Sequence, residues 1–248
     1  MEDDFLFDKI EQVFGDIPEN FNILEEQIDI DVQLDYFKYS KELQHRGDNE
    51  YYLAKKDVLF GEEAGIEEKK EILTGLASLS EVDSFRTIEK YNTSPDEELK
   101  QWAILALQES RMLLKSSLLD EQQVFISTGL GGKGQKLRYF AVFINIRKEQ
   151  KLSKIQQKVL FNELSDLLDK NDGEVEEISF WAGYTIAMVV LPLMAPLKEI
   201  FEDVIAESNQ YGNFLSEDIL ITNVKKLSKE EIFKVIEEKK DLGLEYDE

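Results

Sequence analysis

Cysteine is absent from the 248 residues, and histidine occurs once, at His45. The first absence excludes disulfides, thiol nucleophiles and thiolate-bound metal or iron–sulfur groups. The second leaves mainly carboxylates to build any metal site and gives an acyl-transfer centre one histidine base at most. His45 lies in a polar stretch beside Arg46 and reads as a surface residue or a helix C-terminal cap. Positive charge is also scarce: 29 Lys and Arg stand against 52 Asp and Glu, a net of −23. Such a surface repels nucleic acid and anionic lipid at long range and favours basic partners. The first 35 residues carry twelve of the acids and one base, Lys9. The opening Met-Glu-Asp-Asp-Phe-Leu-Phe-Asp has neither the basic nor the apolar region of a secretory signal, so a cytoplasmic protein is expected.

What is present is enough apolar material for a core, at 42% hydrophobic and 10% aromatic residues. One stretch, "ISFWAGYTIAMVVLPLMAPL" at 178–197, carries no charge. It is long enough to span a bilayer. Gly183, Pro192 and Pro196 interrupt it and both flanks are acidic, so buried strands followed by a helix are expected, and no membrane partner.

The first half reads as helical. "DYFKYSKELQ" and "NEYYLAKKDVLF" have apolar residues at helical spacing, separated by Gly47 and Asp48. "EEKKEILTGLASL" places Ile72, Leu73, Leu76 and Leu79 on one side. Ser80 with Asp83 and Ser94 with Pro95 and Glu97 read as start signals for the next two helices. Residues 72–110, with a leucine-rich first helix, the turn "PDEELK" and the run Ala103, Leu105, Ala106, Leu107, resemble a HEAT-type helical hairpin. That resemblance implies a stacked helical surface that binds another protein on one face. No second copy appears at a fixed period.

Near residue 120 the character changes. "QQVFIST" and "LRYFAVFINI" are rich in β-branched and aromatic residues and flank a glycine-rich loop, so they predict a hairpin. A capping box at Ser153 and Gln156 opens a helix that Gly173 ends. Two strands follow, joined near Ala182 and Gly183, then a helix from Pro196, the strand "EDILITNV" and a last helix capped by Ser228 and Glu231. The order β-α-β-β-α-β is that of a ferredoxin-like sandwich. The expected fold is therefore α+β: an acidic helical region at 1–119, then a domain at 120–248 with an antiparallel sheet and its helices on one face.

The loop "GLGGKGQKLR" holds the candidate binding residues Gly129, Gly131, Gly132, Lys133, Gly134, Lys136 and Arg138. Gly129, Gly131 and Gly134 fit G-x-G-x-x-G, but a dinucleotide site needs a helix after the loop, and here a strand follows. The P-loop pattern fails because Gly134 stands where Ser or Thr must hold magnesium. Strand, glycine loop, strand is the order of a kinase phosphate lid, yet the other kinase motifs are missing. Residues 133–154 carry seven bases (Lys133, Lys136, Arg138, Arg147, Lys148, Lys151, Lys154) and one acid, Glu149. Such a patch could hold RNA phosphate, an acidic peptide or the chain's own acidic N-terminal stretch. Tyr139, Phe140 and Phe143 beside it are of the type that stacks bases on a sheet. "DKNDGEVEE" at 169–177 superficially resembles a calcium loop, but its glycine falls at position 5 rather than 6. No catalytic residue, cofactor or metal is assigned. The reading is a non-enzymatic adaptor that binds another protein through a helical face and the 129–138 hairpin; nucleotide or phosphate binding by the loop and RNA contact by the basic patch remain as alternatives.

Overall fold

A computed structural model of the chain describes residues 21–44, 49–120 and 123–241. His45, Gly47, Asp48 and the acidic residues before Phe21 lie outside the described residues. The chain divides into two units, one built from residues up to Leu24 with Ile28–Ser127, the other from Glu25–Gln27 with the residues from Thr128 on.

The first unit contains β1 (Phe21–Ile23), α1 (Ile30–Gln44), α2 (Asn49–Ala54), a 3-10 turn (Lys56–Phe60), α3 (Ile66–Ala77), α4 (Val82–Asn92), α5 (Lys100–Leu119) and β2 (Val124–Ile126). The predicted stripe Ile72, Leu73, Leu76 and Leu79 is buried in one apolar cluster with Leu24, Tyr36, Ile88, Trp102 and Leu105. Several polar groups inside it are paired, as burial favours, while the buried hydroxyls of Ser84 and Ser110 have no hydrogen-bond partner among the described residues. Trp102 Nε1 donates to Thr74 Oγ1 at 2.9 Å, and Tyr36 Oη and Ser40 Oγ donate to the Glu109 carboxylate at 2.6 and 2.8 Å. Burial and the nearby Glu109 charge push the Tyr36 phenol well above its ordinary pKa, so it remains a donor.

Two start signals act differently from expectation. α4 begins after Glu81 with no side-chain cap, and the Asp83 carboxylate accepts from Lys56 Nζ at 2.5 Å. Before α5 the chain makes a 3-10 turn at Glu97–Leu99, so Pro95 is not the first helical residue. Asp96 is held there by Lys69 Nζ at 2.7 Å and Tyr91 Oη at 2.6 Å, which occupies the carboxylate away from the helix end.

The second unit is the sheet domain. Its elements are β3 (Gly132–Lys133), β4 (Lys136–Asn145), α6 (Lys154–Lys170), β5 (Glu174–Phe180), β6 (Tyr184–Pro192), α7 (Leu197–Asn209), β7 (Leu215–Thr222) and α8 (Lys229–Asp241). The long strands lie in the order β7-β4-β6-β5, every neighbouring pair antiparallel. Each βαβ unit therefore has its two parallel strands split by a strand of the other, which is the ferredoxin-like order. The fold is α+β. Residues 178–197 form the end of β5, all of β6 and the start of α7, and among the described residues no helix is long and apolar enough to cross a membrane.

The register sorts the side chains. Phe143 of β4 lies opposite Thr185 of β6 and packs on Phe201 of α7, so this face carries the helices of the βαβ units. Phe140 and Val142 point the other way, with Met188, Leu130 and Ile232 of α8, and Tyr184 meets Phe233 edge-on at 5.8 Å. The sheet is thus covered on both faces, where helices on one face were expected. The central strands carry apolar residues at both parities, and such strands are buried on both sides.

The expected hairpin also differs. β2 pairs in parallel with β1 of its own unit rather than with β4. The actual hairpin is shorter: β3 pairs with the start of β4 around the two residues Gly134 and Gln135.

Candidate functional site

The turn of this hairpin follows from its residues. Gly134 takes the first turn position at φ +61°, and the mirror-image turns that match strand twist require positive φ there. Gly131 is also left-handed, at φ +66°. Its missing side chain matters more, because a Cβ at Gly131 would lie 2.5 Å from the Glu26 carbonyl oxygen. A Cβ at Gly129 would collide with the Val224 carbonyl oxygen. These two glycines therefore let the loop pass close to backbone of its own unit. The loop N–H groups are used the same way: Leu130 N donates to Asn223 O at 3.0 Å and Gly131 N to Thr128 O at 3.1 Å. Gly134 N does hold an anion, the Glu25 carboxylate, at 2.8 Å.

The three bases of the loop are all paired. Lys133 meets Glu174, and this hydrogen bond raises the lysine pKa from its ordinary value. Lys136 Nζ lies 2.8 Å from Asp172 Oδ1. Arg138 binds Glu176 through Nε at 2.5 Å and Nη2 at 3.0 Å, the two-pronged geometry that guanidinium favours. Its Nη1 donates to the carbonyls of Leu130 at 3.0 Å and Glu25 at 3.2 Å. The Arg138 side chain is only 15% exposed against 59% for Lys133, so the lysine is a surface group and the arginine a strut beneath it. Because β6 lies between β4 and β5, the Arg138–Glu176 pair reaches across a strand, beside Val190.

Sequence reasoning missed the acids. They belong to "DKNDGEVEE", the stretch that resembles a calcium loop. Its glycine is placed by packing: Asp172, not Gly173, is left-handed at φ 55°, and Gly173 is needed because a Cβ would lie 2.6 Å from Leu191 Cδ2. The bonds from Gly173 N to Leu168 O and Asp172 N to Asp169 O form a Schellman end to α6. Alternating charge in a strand next to a tight αβ turn was the available signal.

The predicted basic patch is not one patch. β4 separates its halves, and its nine residue steps span about 30 Å. Lys133, Lys136 and Arg138 lie at one end, Arg147, Lys148, Lys151 and Lys154 at the other. Tyr139, Phe140 and Phe143 are buried, so none is open to a stacking base. Among the described residues no cluster of carboxylate and histidine groups converges to hold a metal ion.

Comparison with known proteins adds little to this. No family model matches the chain, and no curated protein matches it. A crystal structure from Deinococcus radiodurans R1, described as a putative transposase, is similar at 14% identity with a TM-score of 0.36, covering 42% of this chain and 90% of that one.

Proposed function

We propose that the chain is a non-enzymatic binding protein whose partner is another protein, in the cytoplasmic setting that a cysteine-free sequence fits. The observation that carries this reading is on α1. Leu34 and Phe37 are exposed on successive turns, with Lys38 and Lys41 one turn further along the same side. Exposed apolar residues flanked by bases suit a partner that offers apolar and acidic groups. The hairpin tip supplies a second contact through Lys133 and Lys136, which keep exposed side-chain surface. Arg138 supports this tip rather than touching the partner.

The test is quantitative affinity capture from the native host with Leu34→Glu/Phe37→Glu and, separately, Lys133→Gln/Lys136→Gln. Circular dichroism follows the fold in parallel. A stoichiometric protein retained by the wild type and lost by the first variant with fold intact is the expected result. Equal capture by both variants would remove the reading.

One observation favours a second reading. Gly134 N already binds a carboxylate, so the loop has one site for an external phosphate. That phosphate would have to displace Glu25, and a thermal shift with ATP or inorganic phosphate that Glu25→Gln enhances would support it.

A further inference from the structure

The other end of the sheet domain carries the half of the basic patch that the hairpin does not use. Residues 146–158 contain five bases (Arg147, Lys148, Lys151, Lys154, Lys158) and one acid, Glu149, a net of +4 in a chain of −23. The contrast with the hairpin lies in the pairing. Arg147, Lys151, Lys154 and Lys158 make no ion pair among the described residues, whereas Lys133, Lys136 and Arg138 are each matched to a carboxylate. Unpaired like charges on one short segment repel one another.

The segment is held in place. Gly183 N donates to Gln150 O at 3.1 Å, Asn145 Nδ2 donates to the same oxygen at 3.1 Å, and Ile146 N donates to Phe214 O at 3.0 Å. These bonds gather three connections at one end of the sheet: β4 to α6, β5 to β6, and α7 to β7. Each presents an exposed apolar or aromatic side chain. Trp181 is 51% exposed and Ile155 is 77% exposed, with Ile146 and Tyr211 also open to water. The Lys154 end of α6 has no acidic residue in its first turn, the reverse of what the helix dipole favours. That arrangement leaves positive charge available to a partner.

We propose that this end of the sheet domain, centred on Lys151, Lys154 and Trp181, is a docking surface for a short acidic segment of a partner protein that also carries apolar side chains. Charge complementarity selects an anion. The aliphatic residues Ile146 and Ile155 add apolar surface that suits a peptide with apolar side chains. Trp181, Tyr211 and Arg147 are of the type that also stacks bases, so the choice against nucleic acid rests on net charge. The chain's remaining negative charge opposes a long polyanion that would extend past the surface, and a short peptide avoids it. The surface is separate from the contacts proposed above and does not depend on them.

Trp181 provides the readout, because Trp102 is buried and only Trp181 is open to a quencher in water. The probe is a tryptophan-free twelve-residue peptide of alternating Glu and Leu. It is titrated into the full chain while acrylamide quenching of tryptophan and peptide anisotropy are followed. A twelve-residue oligouridylate and a Gln/Leu peptide are run alongside. The expected result is saturable protection of Trp181 by the Glu/Leu peptide, weakened at least tenfold by Lys151→Glu/Lys154→Glu and by raising the salt from 50 to 500 mM. Lys133→Gln/Lys136→Gln should leave that affinity unchanged. The charge reversal at Lys154 puts an acid at a helix N-terminus, where it suits the dipole, so this variant keeps its fold. Binding that both lysine reversals leave intact overturns the proposal. So does tighter binding of the oligouridylate than of the acidic peptide, equal binding of the Gln/Leu peptide, or no protection by any probe.

Discussion

Replacing Gly129, Gly131 and Gly134 with alanine one at a time separates packing from ligand binding as the reason for the glycine loop. At Gly134 the left-handed φ of +61° is the sole obstacle, since a Cβ there meets nothing. The cost is about 1 kcal/mol. At Gly131 the same strain applies, and a Cβ is also driven into the backbone of Glu25 and Glu26. Relief requires moving that segment, which breaks the bonds from Gly134 N and Arg138 Nη1 to Glu25. At about 1 kcal/mol for each exposed bond, the total is about 3 kcal/mol. At Gly129 the φ is ordinary, but the Cβ overlaps the Val224 carbonyl, and the strand end at Asn223 and Val224 must separate from Leu130. A loss of about 3 kcal/mol or more is expected there. Urea denaturation of the full chain, followed by circular dichroism, gives the three values. In thermal melts, Gly131→Ala and Gly129→Ala should lower Tm by about 10 °C and Gly134→Ala by about 3 °C. Gly134→Ala proving as costly as Gly131→Ala, or Gly129→Ala within 0.5 kcal/mol of wild type, would refute the packing argument, because the loop would then owe its glycines to something else.

Two further outcomes follow from the cores. Ile232→Ala should cost about 3 kcal/mol and increase binding of an apolar dye, because Ile232 anchors α8 over Phe140 and Met188. Asp96→Asn should destabilise the helical unit by about 2 kcal/mol at pH 7, since Lys69 is buried and loses its partner, though Asp96 itself stays partly open to water. The Lys69 hydrogen bond, and next that of Tyr91, lower the Asp96 pKa below its ordinary value of 3.8. Its stabilisation is therefore present above that value and lost as pH falls through the depressed folded pKa, so the gap between wild type and variant should shrink in melts taken at progressively more acid pH below 3.8.

The element order of the sheet domain was legible in the sequence because each helix there carries its own local signal. Ser153 and Gln156 form the capping box seen in the structure, and Ser228 and Glu231 form another. In the helical unit the same kind of signal misled. Ser80 and Ser94 look like caps, but Asp83 and Asp96 are claimed by lysines 27 residues away in the chain. Each acid is engaged in a long-range pair, and the local pattern at the helix start does not contain the lysine. The pairing of β2 failed for the same reason, since its partner β1 is about a hundred residues earlier. The basic patch failed on geometry: a strand of ten residues is extended, so bases that are neighbours in sequence end up at opposite ends of the sheet.

The glycine loop and the acidic stretch after α6 each imitate a ligand site, phosphate in one case and calcium in the other, and their charges meet in the fold. A double-mutant cycle on Arg138 and Glu176 measures how far this accounts for both motifs. The Arg138 side chain is 15% exposed and the Glu176 side chain 27%, so their two-pronged bond is shielded from water. A coupling of about 1–2 kcal/mol is expected, above the range of an open surface pair. Arg138→Ala alone should cost more than Glu176→Gln alone, because the arginine also satisfies the carbonyls of Leu130 and Glu25. In 1 M salt the screening length falls to about 3 Å, which should erase any contribution from the exposed Lys133–Glu174 pair while leaving most of the Arg138 coupling. Chemical denaturation of the four proteins at both salt concentrations gives the answer. A coupling near zero at low salt would mean that the two motifs do not stabilise one another, and an external anion for the loop would become the better explanation of its sequence.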